Sequence, residues 1–178
     1  STYCQKSGYY NFTVQPANGV WNILPVNPQS TSICPNSIDD FPYEQGWEGG
    51  LNGWTNDINN DFDWIVSSGP TPSSGTGPNS AYEGLEYIYT EASNPNNPSK
   101  RASLISPCFN LSQYDNPVLH FWFHKHGNGQ GSLAVDISTN NGATWNWNHW
   151  DVYGDLGDQW NQIALDLSMF NSSEVLIR

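Results

Sequence analysis

The chain has 178 residues, of which 12% are charged and 14% are aromatic, and its formal net charge is −12 with five Lys and Arg residues. An acidic surface with so few cations repels phosphate backbones and anionic headgroups, so we expect no nucleic-acid partner and no membrane insertion. Divalent cations, neutral glycans and basic protein patches fit this charge balance better. The 16 Gly and 12 Pro residues, beside many aromatic residues, are typical of an all-β fold with long loops.

Residues 1–40 are low in charge and rich in Asn, Pro and Ser, with one short apolar run at residues 20–24. We interpret residues 1–40 as an N-terminal extension or the tail of a preceding module, and residues 41–178 as the main domain. The chain shows no signal peptide and ends inside a predicted strand, so we expect a fragment of a longer secreted or cell-surface protein.

Three cysteines suit an oxidising compartment but leave one of them unpaired. Cys34 lies just before the main domain and Cys108 opens a predicted strand, so Cys34–Cys108 is the first pairing to consider. Cys4–Cys34 is the alternative, and the sequence leaves both open.

Residues 47–64 combine three tryptophans with closely spaced carboxylates. Acidic side chains at this density repel one another unless a cation or solvent separates them, which suggests calcium. Asp57, Asn59 and Asp61 have the opening spacing of a calcium loop, but Phe62 and Ser68 stand where an EF-hand has Gly and Glu. We therefore expect any calcium ligands to come from separate segments. The alternative is a solvated acidic loop.

Short aromatic and β-branched runs then alternate with turn clusters at spacings near ten residues, a pattern typical of antiparallel strands in a sandwich. The predicted strands are 62–67, 86–90, 118–124, 132–138, 145–152, 162–167 and 175–177. Residues 70–78 are too rich in turn formers for a strand and predict an ordered surface loop. Residues 166–170 are the one segment that predicts a single helical turn.

His120, His124 and His126 invite a zinc interpretation. On a straight strand, however, positions 120 and 124 lie about 13 Å apart at ~3.3 Å per residue, so they cannot share one ion. His124 and His126 could share one, but packing on a strand face is the better interpretation. No nucleophile, metalloprotease or equivalent catalytic motif is present, so we expect no enzyme activity within this chain.

The run from Trp145 to Trp150 contains three tryptophans and one histidine. In a regular strand, Trp145 and Trp147 share one face, while Trp150 lies on the other. Exposed aromatic rings beside amides are typical of sugar-binding surfaces, so Trp147, His149 and Trp150 are candidate ligand-binding residues. The alternative is that these tryptophans belong to the sandwich core. The preceding turn, 138–145, has the spacing of an Asp-box with Asn140 in place of Asp, which we interpret as structural.

A set of motifs in order closely resembles the MAM domain, the module named for meprin, A5 protein and a receptor phosphatase. The motifs are Trp47-Glu48, Gly53-Trp54-Thr55, Asp57, Asp61-Phe-Asp-Trp64, Ser68-Gly-Pro-Thr-Pro72, Thr76-Gly-Pro78, Glu91-Ala-Ser93, Arg101-Ala-Ser-Leu-Ile-Ser-Pro107, Leu119-His-Phe-Trp-Phe-His124, Gly127 and Gly131-Ser-Leu133. The prefix Phe41-Pro-Tyr43 and the turn 138–145 are similar to versions carried by secreted proteins of Bacteroidetes-type bacteria.

The resemblance implies an antiparallel jelly-roll β-sandwich, a calcium or sodium site, a role in adhesion and no catalysis. It favours Glu48 as a calcium ligand, with Asp57, Asp61, Asp63 and Glu83 as further candidates in no firm order. Two departures stand out: the cysteine pairs of the animal modules are absent, and the chain stops before the final strands that MAM domains normally carry. An uncovered sheet edge would then recruit residues 1–40, a retained C-terminal piece or a second copy of the chain.

The sequence thus predicts a non-catalytic, calcium-stabilised adhesion or recognition module of a secreted or cell-surface multidomain protein. Its expected partner is a protein or glycan ligand at a cell surface or matrix, with self-association as a further outcome. One alternative is a carbohydrate-binding module of a polysaccharide-degrading enzyme. Another is an accessory domain of a secreted metalloprotease. In either case the catalytic residues would lie outside this chain.

Overall fold

The computed structural model of the chain describes residues 12–17, 20–25, 32–171 and 173–178, the first two segments by their backbone. The chain divides into two compact units, residues 1–32 and 33–178. In the first unit, β1 (Phe12–Ala17) and β2 (Val20–Pro25) pair as antiparallel strands, and β2 contains the apolar run at 20–24. The boundary at residue 40 stays a prediction of where an independently folding domain begins.

The described part of the second unit contains ten strands and one turn of 3-10 helix at Ser168–Phe170. The strands are β3 (Thr55–Asn56), β4 (Trp64–Ser68), β5 (Glu86–Thr90), β6 (Leu104–Ile105), β7 (Phe109–Asn110), β8 (Val118–His124), β9 (Ser132–Ser138), β10 (Asn146–Tyr153), β11 (Trp160–Asp166) and β12 (Glu174–Ile177). Three of them, β5, β8 and β9, have the bounds that the sequence predicts. The two-residue strands β3, β6 and β7 were not predicted, because two residues are too few to show an alternating pattern.

All strand ladders between these elements are antiparallel, and the largest sheet has the order β10-β9-β12-β7. Strand β8 pairs with β11, β4 with β5, and β3 with β6. Strand β12 lies between β9 and β7 in the large sheet although neither is its neighbour in the sequence. The chain therefore leaves this sheet and returns to it between these strands. The second unit is the antiparallel jelly-roll β-sandwich that the sequence predicts, and the predicted fold class is confirmed.

The core lies between the four-stranded sheet and the β8–β11 pair. Ile137 and Val175 of the large sheet are fully buried and pack with Leu165 of β11. Alternate residues of β8, Leu119 and Phe121, lean against the same cluster. Full burial of each such side chain contributes about 1.5–3 kcal/mol, which makes this seam the main source of stability.

A disulfide joins Cys34 to Cys108, with an S–S distance of 2.02 Å and a Cα–Cα distance of 6.1 Å. This is the first of the two pairings that the sequence left open, while Cys4 of the alternative lies outside the described residues. Next to the disulfide, Ile38 forms a parallel bridge with Phe109. Residues 33–40 are therefore tied to the sandwich.

Candidate functional site

Glu48, the first predicted metal ligand, acts as a hydrogen-bond acceptor between two loops. Its Oε1 accepts hydrogen bonds from the backbone N–H groups of Leu85 at 2.7 Å and Glu86 at 2.9 Å, and these bonds lower the pKa of the Glu48 carboxyl. A Cβ at position 84 would overlap Glu48 Oε1, so this close approach requires Gly84. In return, Glu86 accepts a hydrogen bond from the Gly49 N–H at 2.6 Å.

The other predicted metal ligands have separate partners. Asp57 Oδ1 accepts hydrogen bonds from the N–H and side chain of Asn59, and Asp63 accepts one from the Asn60 amide. Asp61 accepts hydrogen bonds from Lys100 Nζ at 3.0 Å and from the Arg101 N–H at 2.8 Å, which lower the pKa of its carboxyl. Glu83 has no hydrogen-bond partner among the described residues.

These five carboxylates do not converge. Within residues 32–171 and 173–178, no group of three or more His, Cys, Asp or Glu side chains is placed to hold a metal ion. No three of the predicted ligands Glu48, Asp57, Asp61, Asp63 and Glu83 therefore come together as placed, and their role as calcium ligands stays a prediction. Acidic density in the sequence reflects several local hydrogen-bonding roles in this structure.

The strand-face histidines pack as aromatic residues. The His124 side chain is buried 5.5 Å from the Trp160 ring, and burial lowers its pKa although Asp158, at 3.2 Å, acts in the opposite direction. Its Nδ1, like that of His126, has no hydrogen-bond partner in the described part of the chain. His120 contacts Gln162 of the neighbouring strand instead.

The three candidate ligand-binding residues of β10 have different surroundings. Trp150 packs against the rings of Phe121 and Phe123, and His149 lies 5.4 Å from the Phe170 ring. Trp147 is 58% exposed. A register shift between Asn146 and Trp150 interrupts the strand, so the regular alternation assumed from the sequence does not hold here.

Trp147 belongs to a cluster that the sequence did not predict, formed by Arg101, Asp136, Trp145, Trp147 and Arg178 and called the Arg–Trp cluster below. The Arg178 guanidinium lies 4.1 Å from the Trp145 ring centre and 4.6 Å from that of Trp147, and the Arg101 guanidinium lies 4.5 Å from the Trp147 ring centre. Contacts of this kind between a guanidinium and a tryptophan ring are attractive.

Asp136 holds both guanidinium groups in place. Its side chain is 4% exposed, and its Oδ2 accepts hydrogen bonds from Arg178 Nη2 at 2.8 Å and Arg101 Nη2 at 3.3 Å. Its Oδ1 accepts the backbone N–H of Asn148 at 2.7 Å. The signal in the sequence was an acidic residue inside the apolar strand 132–138, since a charge at such a position is normally paired.

An open cleft of about 410 Å3 adjoins the Arg–Trp cluster. Its lining is mostly polar and comprises Asp57, Asn59, Arg101, Ser103, Ile105, Asn141, Gly142, Trp145, Leu176 and Arg178. One wall is the turn 138–145, in which Ser138 Oγ accepts the Gly142 N–H at 2.9 Å and Asn140 Oδ1 accepts the Thr144 N–H at 2.9 Å. This turn fixes Asn141 and Trp145 at the cleft.

A sequence profile described as "MAM domain, meprin/A5/mu" matches residues 43–177. The chain belongs to the MAM family. Residues of this MAM domain are 32% identical over 123 positions to MAM domain-containing glycosylphosphatidylinositol anchor protein 1 of Rattus norvegicus, covering 65% of the chain and 13% of the relative. Neuropilin-1 of Xenopus laevis is 30% identical over 115 positions, covering 64% of the chain and 12% of the relative.

MAM domain-containing glycosylphosphatidylinositol anchor protein 2 of Rattus norvegicus is 27% identical over 138 positions, which cover 69% of the chain and 14% of that protein. The MAM domain thus spans a small part of each of these relatives. They are vertebrate proteins, so they do not support the bacterial form of the domain that the prefix and turn predicted.

The predicted location, secreted or at the cell surface, is confirmed by these relatives. Within the described residues, no helix of this MAM domain has the length and hydropathy that crossing a bilayer requires.

Proposed function

We propose that this MAM domain is a non-catalytic recognition module of a secreted or cell-surface multidomain protein, and that it contacts a protein or glycan ligand through the surface around Trp147. Family membership supports the general role of adhesion or recognition. The choice of surface rests on the Arg–Trp cluster. Self-association of the domain through the same surface is one form that such a contact can take.

The observation that carries the proposal is the exposure of Trp147 within a fixed frame. The ring is 58% exposed, yet Arg101 and Arg178 lie against it and are themselves held by the buried Asp136. Tryptophan and arginine are enriched at the energetic centres of interfaces. A ring already held in place loses little conformational freedom on binding, so it is suited to act as an anchor.

The chemistry of the cluster supports a non-catalytic role. Both carboxylate oxygens of Asp136 accept hydrogen bonds, Oδ2 from the two arginines and Oδ1 from a backbone N–H. A general base needs a lone pair directed at a substrate, and Asp136 is not placed for that task. The sequence left two alternatives, a carbohydrate-binding module of a polysaccharide-degrading enzyme and an accessory domain of a secreted metalloprotease. In both of them the catalytic residues belong to another domain.

Calcium stabilisation is a further part of the prediction, and its support is the family resemblance at Glu48 and the carboxylate-rich composition. Because the carboxylates have separate hydrogen-bond partners, an ion would have to displace some of these partners. The proposed recognition function does not depend on that ion. Bacterial origin is likewise a prediction from residues 41–43 and 138–145 alone.

The role of Trp147 is tested by binding of the labelled domain to matrix deposited by cultured cells and to beads coated with the same domain. We expect saturable binding to at least one of these surfaces, and Trp147→Ala should weaken it about tenfold or more, as for loss of an interface anchor. Tyr153→Ala is the matched control, since Tyr153 is an aromatic residue of the same strand that is 76% exposed.

Equal weakening by the two variants would contradict the assignment of the surface. Absence of wild-type binding to both the matrix and the coated beads would contradict the recognition role itself. The melting temperatures of the Trp147→Ala and Tyr153→Ala variants, measured in parallel, show whether each variant is folded.

A further inference from the structure

The cleft beside the Arg–Trp cluster has the chemistry of a site for a hydroxyl-rich ligand. Its polar wall combines a carboxylate, two amides, a hydroxyl and a guanidinium, from Asp57, Asn59, Asn141, Ser103 and Arg101. Donors and acceptors thus alternate around one concave surface. A sugar hydroxyl is both a donor and an acceptor and is suited to such a lining.

Several of these groups retain hydrogen-bonding capacity. Among the described residues, Asn141 Nδ2 and Arg101 Nη1 donate no hydrogen bond, and Asn59 Oδ1 accepts none. Asp57 Oδ2 has one long contact, 3.8 Å to Arg178 Nη1. The cleft therefore offers donors and acceptors that the fold does not use for its own stability.

The charges around the cleft nearly cancel. Arg101 and Arg178 are opposed by Asp57 in the wall and by Asp136 behind it, and three ion pairs connect these four groups. A carboxylate or sulfate ligand would therefore find little net positive charge here. It would also be repelled by the chain as a whole, whose net charge is −12. The balance favours an uncharged ligand.

An aromatic wall completes the site. Trp145 is half-buried, lines the cleft and has the Arg178 guanidinium 4.1 Å from its ring centre. Because the Arg178 guanidinium covers one face of this ring, the exposed remainder of Trp145 supplies apolar area against which the C–H groups of a pyranose can pack. The cleft volume of about 410 Å3 lies at the small end of ligand sites, which suits a short segment of one or two sugar rings.

We infer that this cleft binds a neutral saccharide through Trp145 and the polar groups of Asp57, Asn59, Arg101 and Asn141. This inference rests on the proposed recognition function and specifies a ligand class for the cleft that adjoins the surface around Trp147. It assigns the cleft, rather than the run 147–150 as a whole, to sugar contact.

The test is calorimetric titration of the domain with neutral oligosaccharides of two to four units, built from glucose, mannose, galactose or N-acetylglucosamine. Sialyllactose and oligogalacturonates serve as anionic counterparts. We expect saturable binding of at least one neutral oligosaccharide, and weaker binding of the anionic ones. Asn141→Gly should weaken that binding about tenfold, since it removes one hydrogen-bonding amide.

Asn148→Gly is the matched control. Both asparagines are exposed and have positive φ angles, 56° at Asn141 and 51° at Asn148, so glycine preserves the backbone at either position. Asn148 does not line the cleft, and its replacement should leave sugar affinity unchanged. Asn59→Ala provides a second cleft variant outside the turn and should also weaken binding.

The inference is wrong if no neutral oligosaccharide binds at millimolar concentration while Trp147-dependent binding to matrix or beads persists. That result would leave the recognition function standing with a different ligand. Preference for the anionic sugars, or equal loss in Asn141→Gly and Asn148→Gly, would also overturn it. If the wild-type domain binds neither the oligosaccharides nor the matrix and coated beads, the proposed recognition function itself is wrong.

Discussion

Two parts of this MAM domain combine tryptophans with carboxylates, and they use them in opposite ways. In the acidic loop, residues 47–64, each hydrogen-bonded carboxylate has its own partners, and Asp61 remains 37% exposed. In the Arg–Trp cluster, one carboxylate that is 4% exposed binds two arginines 35 and 42 residues away in the sequence. Carboxylates that are dense in the sequence are dispersed in space, whereas the solitary Asp136 is the centre of a network.

The contrast has an energetic basis. Exposed ion pairs are screened by water and salt and contribute at most about 1 kcal/mol. A buried charge is different, because its removal leaves its partner without solvent or a counter-ion. Arg178 is 8% exposed, and Asp136, at 2.8 Å, is its nearer carboxylate, since Asp57 lies 3.8 Å away. The two regions should therefore respond very differently to the loss of one carboxylate.

The largest expected effect is that of Asp136→Ala, which should lower the free energy of unfolding by about 3–5 kcal/mol, the cost of removing one partner of a buried ion pair. Urea denaturation followed by tryptophan fluorescence measures this change. Asp63→Ala in the acidic loop is the control and should cost about 0.5 kcal/mol or less. Similar costs for the two variants would remove the distinction between the regions.

Calcium binding would contradict this difference between the two regions, because a bound ion would join carboxylates that the structure keeps separate. If the predicted ion binds the folded domain, calcium at a hundredfold excess over its dissociation constant stabilises it by about 2.7 kcal/mol. The melting temperature should then fall in chelator, and Glu48→Gln should remove most of the calcium-dependent increase.

The calcium-dependent increase is the quantity to compare, because Glu48→Gln also weakens two backbone hydrogen bonds without any ion. Glu44→Gln, an exposed position outside the predicted ligand set, is the control. Identical melting curves in calcium and chelator would remove calcium from the description of this domain.

The smallest expected effect concerns two adjacent cations, Lys100 and Arg101, whose substitution compares one ion pair of the acidic loop with one of the Arg–Trp cluster. Lys100 and Arg101 have side chains that are 45% and 46% exposed, but Lys100 pairs with Asp61 in the acidic loop and Arg101 with the buried Asp136. Arg101→Gln should cost about 1 kcal/mol, and Lys100→Gln between about 0 and 0.5 kcal/mol. A larger loss from Lys100→Gln, measured by urea denaturation, would mean that the loop pair is the more important one.

The sequence predicted the strands that are long enough to stand out between turn clusters. Strands β5, β8 and β9 are runs of five to seven residues that contain aromatic or β-branched side chains, and each has the predicted bounds. The family was recognisable because many short motifs occur in the right order. The pairing of β7 with β12 had no such signal, since β7 is two residues long and its partner follows more than sixty residues later.

The candidate site was harder to predict, because its members are distant in the sequence. Asp136, Arg101 and Arg178 meet only after β9, β12 and the segment before β6 are in place. The positions of His149 and Trp150 were obscured by a local cause, the register shift in β10, which changes the face on which successive residues lie. A single sequence records neither long-range pairing nor a shift of this kind.

The Cys34–Cys108 disulfide has a mechanical consequence. A pulling force applied to the chain ahead of Cys34 passes through the sulfur atoms directly to position 108, so the enclosed segment carries no tension while the bond is intact. With a sequence separation of 74 residues, about 250 Å of extended chain is kept in reserve. Glu48, Asp57 and Arg101 all lie inside this covalent loop, so a tether that loads the domain from its N-terminal side cannot stretch the chain around them unless the disulfide is first reduced.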